Sequence, residues 1–221
     1  MENRGAKVLW TPSESRRRRS RMAAFIAHVN ARRNLNLPPE FAPLWEWSVS
    51  RRGEFWGEVW DFFAVVGEKG SGRIDNPEKM PGARFFADGK LNFAENLLQN
   101  ADSRAALISL SEDGGRREIS RAELLRRTRN LAAWLHSNGA RPGDSVCAYM
   151  PNIPETVIAF LASASVGAVF SSCSMDFGTD AVVERFRQTA PKFLIAGDGY
   201  AYNGRAIGRL SEIAETAARL P

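Results

Sequence analysis

The stretch Arg141–Ile195, RPGDSVCAYMPNIPETVIAFLASASVGAVFSSCSMDFGTDAVVERFRQTAPKFLI, decides the fold. It reads as strand, helix, strand, helix, strand. An Arg-Pro-Gly-Asp turn opens Ser145 to Met150, a short and mostly apolar run that suits a strand buried on both faces of a parallel sheet. The next helix is expected to start at Asn152-Ile153-Pro154-Glu155. Proline is tolerated in a first helical turn because its missing amide would have no partner there, and Glu155 sits near the positive end of the helix dipole. Small residues at Ala162, Ala164 and Gly167 let that helix lie close to the sheet. Gly167 to Ser172 is the expected second strand and Thr179 to Gln188 the second helix; Ala190-Pro191 then breaks the chain before a third strand, Lys192 to Ile195. This alternation implies right-handed βαβ units and an α/β fold with a mostly parallel sheet and flanking helices.

Upstream of that stretch, Ala105 to Leu110 reads as a strand, Asp113-Gly114-Gly115 as a hairpin turn and Arg117 to Ile119 as the return strand. Ser120-Arg121-Ala122-Glu123 is a capping box, in which hydroxyl and carboxylate satisfy two orphaned amides. The helix it opens carries Leu124, Leu131 and Leu135 inward and stops at Asn138-Gly139, a left-handed C-cap, with His136 favourable to the dipole of its last turn. Before it, an Asp88-Gly89 turn leads into a helical stripe of Leu91, Ala94, Leu97 and Leu98. Downstream lie the loop GDGYAYNGR and an amphipathic helix, Ile207 to Leu220.

The N-terminal part has a different character. Phe55, Trp56, Val59, Trp60 and Phe63 repeat at helical spacing, a wide apolar stripe built for burial rather than for stacking on bases, and Trp45 and Trp47 anchor the approach to it. The run Arg16-Arg17-Arg18-Arg19-Ser20-Arg21 admits a nuclear signal, a transit peptide or a phosphate patch, but reads first as the solvated continuation of a helix carrying Met22, Phe25, Ile26 and Val29. His28 in that helix has no histidine or carboxylate at i+4 with which to share a metal, so a partly exposed side chain is expected. Gly67 to Gly82 is read as a linker. The resulting division is a helical, aromatic-rich segment with connector over residues 1–80 and an α/β domain over 81–221.

With 30 Lys+Arg against 25 Asp+Glu the chain is moderately basic, which permits a phosphate-rich ligand, nucleic acid or an anionic membrane without selecting one. Cys147 and Cys173 fall in or beside core strands and read as buried thiols of a reducing, cytoplasmic compartment. No apolar run approaches a membrane span and the N-terminus shows no secretory h-region. Asp176-Phe177-Gly178 spells a kinase magnesium motif, but no Gly-rich loop or His-Arg-Asp precedes it.

The succession of capped helix, Asn-Gly, Pro-Gly-Asp, strand, Met-Pro-Asn-x-Pro-Glu, helix and Gly-Ala-Val-Phe resembles the early large domain of the acyl-CoA synthetases, the adenylate-forming ligases. WSV followed by FW, DGKLNFAENLL, SSCSMDFG and the Trp10-Thr11-Pro12 opening resemble the acetoacetyl-CoA synthetase branch more than the acetyl-CoA branch. The resemblance implies an enzyme that uses ATP and Mg2+ to turn acetoacetate, or another short acyl acid, into an acyl-adenylate, then transfers the acyl group to coenzyme A. It implies no nucleic-acid or membrane partner. The family's Ser/Thr/Gly-rich ATP loop, its later Tyr-Gly-x-Thr-Glu and Gly-Asp motifs and its lysine segment are not in this sequence. The chain is therefore expected to be the opening portion of a ligase, with the remainder of the ligase chain as its partner and with no catalytic residue of its own.

One family site lies within reach. In acetyl-CoA synthetases a basic loop after the third strand contacts the nucleotide end of coenzyme A, and Tyr202-Asn203-Gly204-Arg205 occupies the matching place, with Gly204 permitting close approach and Arg205 pairing with a phosphate. Ser174 and Asp176, on the loop at a strand's C-terminal end, are a second candidate, although Asp176 would repel a phosphate. The rival readings are a non-catalytic coenzyme-A or nucleotide-binding module, and a basic nucleic-acid-associated protein using Arg16 to Arg21.

Overall fold

The computed structural model describes residues 8–221, so the first seven residues of the N-terminus read as having no secretory h-region lie outside the described residues. The chain forms two compact units, Met1–Leu91 and Asn92–Pro221. In the first, the arginine run is not one helix continued outward. Helix α1 (Glu14–Arg18) ends at Arg19, and Ser20 starts α2 (Arg21–Arg33) by accepting the Ala23 amide at 3.1 Å. A serine that caps cannot also sit in a helix interior. The arginines are solvent-exposed, as expected.

Helices α3 (Phe41–Ser50) and α4 (Arg52–Phe62) pack on α2 through Phe25, Val29 and Trp47, with Phe55, Val59 and Phe62 around them. The aromatic stripe is thus two adjacent lines. Phe55, Val59 and Phe62 face the helical core, whereas Trp60 and Trp56 meet Phe86 and Phe85 at ring separations of 4.8 and 5.8 Å. Uniform burial does not hold: Trp56 and the C-cap residue Phe63 remain 42% and 52% exposed, and Trp45 is exposed while Trp47, on α3 itself, is buried. Residues 67–82 are also more than a linker. Strand β1 (Ile74–Asp75) pairs antiparallel with β2 (Arg84–Phe85), Glu68 and Lys90 exchange backbone bonds of 2.7 and 2.8 Å, and the Asp88 carboxylate accepts the Ser71 amide at 3.0 Å. Gly67 makes this return possible, because a Cβ there would lie 2.6 Å from the Lys90 carbonyl oxygen.

Glu58, on α4 among the aromatics, is 1% exposed. Its carboxylate accepts from Arg33 Nε at 2.6 Å and Arg32 Nε at 2.9 Å, and His28 Nε2 lies 3.0 Å away. The half-buried His28 therefore has a carboxylate neighbour, supplied by another helix rather than by its own i+4 position.

The second unit begins with α5 (Phe93–Leu97), capped by the Asn92 side chain. It is one short helix that buries Ala94 and leaves Leu91 and Leu97 exposed, so the expected four-residue stripe is cut to Ala94 and Leu98. Strands β3 (Ala105–Leu110) and β4 (Arg116–Ser120) form the expected antiparallel hairpin. Ser120 caps α6 (Arg121–Ser137) by accepting the Glu123 amide at 3.1 Å. The Glu123 carboxylate instead takes Arg126 and Arg127, which hold its pKa down to about 2, so half of the capping box forms.

Strand β5 (Ser145–Tyr149) is buried at every position and lies between β6 (Val169–Cys173) and β7 (Phe193–Ala196), all parallel, in the order β6-β5-β7. Helix α7 (Pro154–Ser165), with proline in its first turn, connects β5 to β6; α8 (Thr179–Arg187) connects β6 to β7. Alternate residues of β5 face opposite layers. Val146 packs with Leu135 of α6 and Ala162 of α7. Cys147 and Tyr149 pack with Val182 and Phe186 of α8. The second strand starts at Val169 because Gly167, at φ 75°, turns the chain out of α7. Both cysteines are free and buried. After β7 come β8 (Gly199–Tyr202) and β9 (Arg205–Gly208), an antiparallel hairpin, and α9 (Leu210–Arg219). The expected loop is thus a hairpin, and Ile207 belongs to its second strand rather than to the last helix.

Candidate functional site

Three connections converge at the C-terminal ends of the parallel strands: Pro151 to Ile153 after β5, Ser174 to Gly178 after β6, and the β8–β9 hairpin after β7. With the end of β3 they enclose a cleft of about 890 Å³. This is where α/β sheets place ligands, since helix N-termini and loop amides face outward there.

Of the residues singled out in the sequence, Ser174, Asp176 and Tyr202 line this cleft together. Asn203, Gly204 and Arg205 do not. Asn203 at φ 50° and Gly204 at φ 72° form the two-residue turn of the hairpin, a geometry that favours Asn-Gly because both central residues need positive φ. The Gly204 amide donates to the Glu112 carboxylate at 3.3 Å, so this turn amide is already engaged by an acid. Arg205 is exposed at the hairpin turn, outside the lining.

Several lining residues escaped the sequence reading. Glu112 comes from the β3–β4 turn, Asn152 from the turn before α7 and Tyr200 from β8. Arg209 stacks over the Tyr200 ring at 5.6 Å and pairs with Glu212 at 2.8 Å. Glu112 and Asp176 bring two carboxylates to the cleft, and no lysine or arginine is among its lining residues. The interior therefore disfavours anionic groups. Among the described residues no group of three His, Cys, Asp or Glu side chains could hold a metal ion.

The hairpin wall depends on Gly199, where a Cβ would stand 2.4 Å from the Ile207 carbonyl oxygen of the partner strand. Gly199→Ala is expected to cost about 1–3 kcal/mol locally and to separate β8 from β9. Hydrogen exchange at the β9 amides checks this, and unchanged protection would contradict it.

The family model described as AMP-binding enzyme matches residues 93–220, more than half of the chain, and the chain belongs to that family. A second model, acetyl-coenzyme A synthetase N-terminus, matches residues 41–97. More particularly, the chain is similar to acetoacetyl-CoA synthetases. It is 44% identical over 199 residues to the acetoacetyl-coenzyme A synthetase of Rhizobium meliloti (strain 1021), covering 90% of this chain and 30% of that protein. It is 36% identical to the Xenopus tropicalis acetoacetyl-CoA synthetase, covering 98% of this chain and 32% of that one. The solved acetoacetyl-CoA synthetase from Streptomyces lividans matches with a TM-score of 0.87 and 37% identity over 98% of this chain and 34% of that structure. The chain thus spans about a third of the length of these relatives.

Proposed function

We propose that this chain is the opening portion of an acetoacetate–CoA ligase. The observation that carries the reading is the match to the Streptomyces lividans structure along almost the whole chain. In the complete reaction, the carboxylate oxygen of acetoacetate attacks the α-phosphorus of ATP and expels pyrophosphate. The thiol of coenzyme A then attacks the acyl carbon, expelling AMP and releasing a proton. Making the carboxylate oxygen part of a good leaving group is what turns a poor acyl donor into a reactive one. The magnesium expected alongside ATP would be held largely by the nucleotide's own phosphates, with one or two carboxylates beside them.

The part of this reaction that the present residues support is holding the nucleotide end of coenzyme A. Tyr200 and Tyr202 supply rings and polar tips, Ser174 and Asn152 hydrogen-bonding groups, and Arg205 a guanidinium at the hairpin turn. Two free, buried thiols accord with a cytoplasmic setting. The domain division proposed is residues 1–80 and 81–221, although the β1–β2 pairing carries the first compact unit on to Leu91.

The purified 221-residue protein is expected to bind coenzyme A saturably in calorimetry and to show no ATP–pyrophosphate exchange with acetoacetate. Exchange above background would overturn the assignment of the chemistry to residues outside this sequence. Absence of coenzyme-A binding would overturn the cleft reading.

A further inference from the structure

Resting on the reading of the cleft as a coenzyme-A site, we propose that Tyr149 is its positioning residue, the side chain that fixes the Ser174–Phe177 loop in the conformation that shapes the cleft. Tyr149 ends the central strand and is fully buried in the cluster formed with Cys173, Met175, Val182 and Phe186. Its hydroxyl donates to the Phe177 carbonyl oxygen at 2.7 Å and lies 3.3 Å from the Met175 carbonyl oxygen. Those two carbonyls bracket Asp176, and Ser174, Met175 and Asp176 all line the cleft.

Packing does not require that hydroxyl. A phenylalanine would fill the same space without a polar atom to satisfy, and burying a hydroxyl is unfavourable unless it is hydrogen-bonded. What the hydroxyl adds is a donor aimed at the loop. Burial pushes the phenol's pKa up, so it keeps its proton through neutral pH and remains a donor. The loop is closed on its other side by Gly197, where a Cβ would come within 3.2 Å of the Met175 sulfur and 3.1 Å of Pro151 Cδ. Tyr149 is not itself a lining residue and acts through the loop.

The test compares wild type, Tyr149→Phe and Phe186→Leu in the whole 221-residue protein. The readouts are thermal midpoint, amide exchange over residues 174–178, and coenzyme-A affinity by calorimetry. Phe186→Leu perturbs the same core without touching the loop's hydrogen bonds, and so reports what general destabilisation does. Tyr149→Phe is expected to speed exchange of the loop amides about tenfold and to weaken coenzyme-A binding by a similar factor, while Phe186→Leu does neither at an equal or lower midpoint. Loop exchange and affinity unchanged in Tyr149→Phe would overturn the proposal, as would equal loosening of the loop in both variants. If the wild type fails to bind coenzyme A while Tyr149→Phe still loosens the loop, the cleft reading falls and the loop-fixing role of Tyr149 is supported on its own.

Discussion

Replacing Arg32 and Arg33 together by alanine is expected to destabilise the protein by about 3–5 kcal/mol, more than replacing Glu58 itself. The asymmetry follows from where each charge sits. Glu58 is 1% exposed, whereas Arg32 and Arg33 are 53% and 39% exposed at their side chains. Losing both guanidiniums leaves a carboxylate inside an aromatic core with His28 as its remaining partner among the three. Losing the carboxylate leaves two cations that can turn to water, and Arg32 keeps Asp61 at 3.1 Å. Glu58→Ala is therefore expected to cost about 1–3 kcal/mol, the range of hydrogen bonds to charged groups. Urea unfolding followed by the fluorescence of Trp47 and Trp60, both in this unit's core, checks the order. A Glu58→Ala variant less stable than the double arginine variant would mean that the buried carboxylate is not the costly charge in the cluster.

Phe186→Ala is expected to cost about 3–5 kcal/mol through the other unit's core. Phe186 is fully buried on α8 and shares its cluster with Cys147 and Tyr149 of the central strand. Ile213 and Leu220, at α9, pack against the same cluster. The truncation leaves a void between the sheet and both helices, and the loss depends on how far α8 and α9 can settle into it. Exchange of α9 amides should rise more than that of α7, which lies on the opposite face. Denaturant midpoints and exchange by segment measure the two effects, and a loss below about 1 kcal/mol would show that the layer closes over the gap.

The parallel sheet was legible because its information is local. Ser145 to Met150 is apolar without alternation, Pro154 and Glu155 mark a helix start, and small residues follow. The errors have equally physical causes. The hairpin β8–β9 hides behind glycines at Gly199 and Gly208, which weaken a strand signal, although Asn203-Gly204 is the dipeptide such a turn demands. Ile207 shares a helical spacing with Leu210, and only the pairing of Tyr200 with Ile207 assigns it to a strand. The Glu58 cluster joins positions 25 to 30 residues apart on separate helices, and no periodicity reports such a meeting. In the cleft, the rule that ligands gather at strand C-terminal ends led to Ser174 and Asp176, and the resemblance to the acyl-CoA synthetases led to Tyr202. Glu112 and Tyr149 were out of its reach, because one arrives from an earlier hairpin and the other shows its role through carbonyl oxygens 26 and 28 residues downstream.

The strand order β6-β5-β7 also has a consequence for biosynthesis. The central strand is made first and both of its neighbours follow it, the second ending 47 residues after Tyr149, from 149 to 196. At a translation rate of roughly 5–20 residues per second, the ribosome releases β5 some 2–10 seconds before β7 can pair with it. During that interval the most deeply buried strand of the domain has an open edge, and the nascent chain is most in need of a chaperone between the synthesis of Tyr149 and that of Ala196.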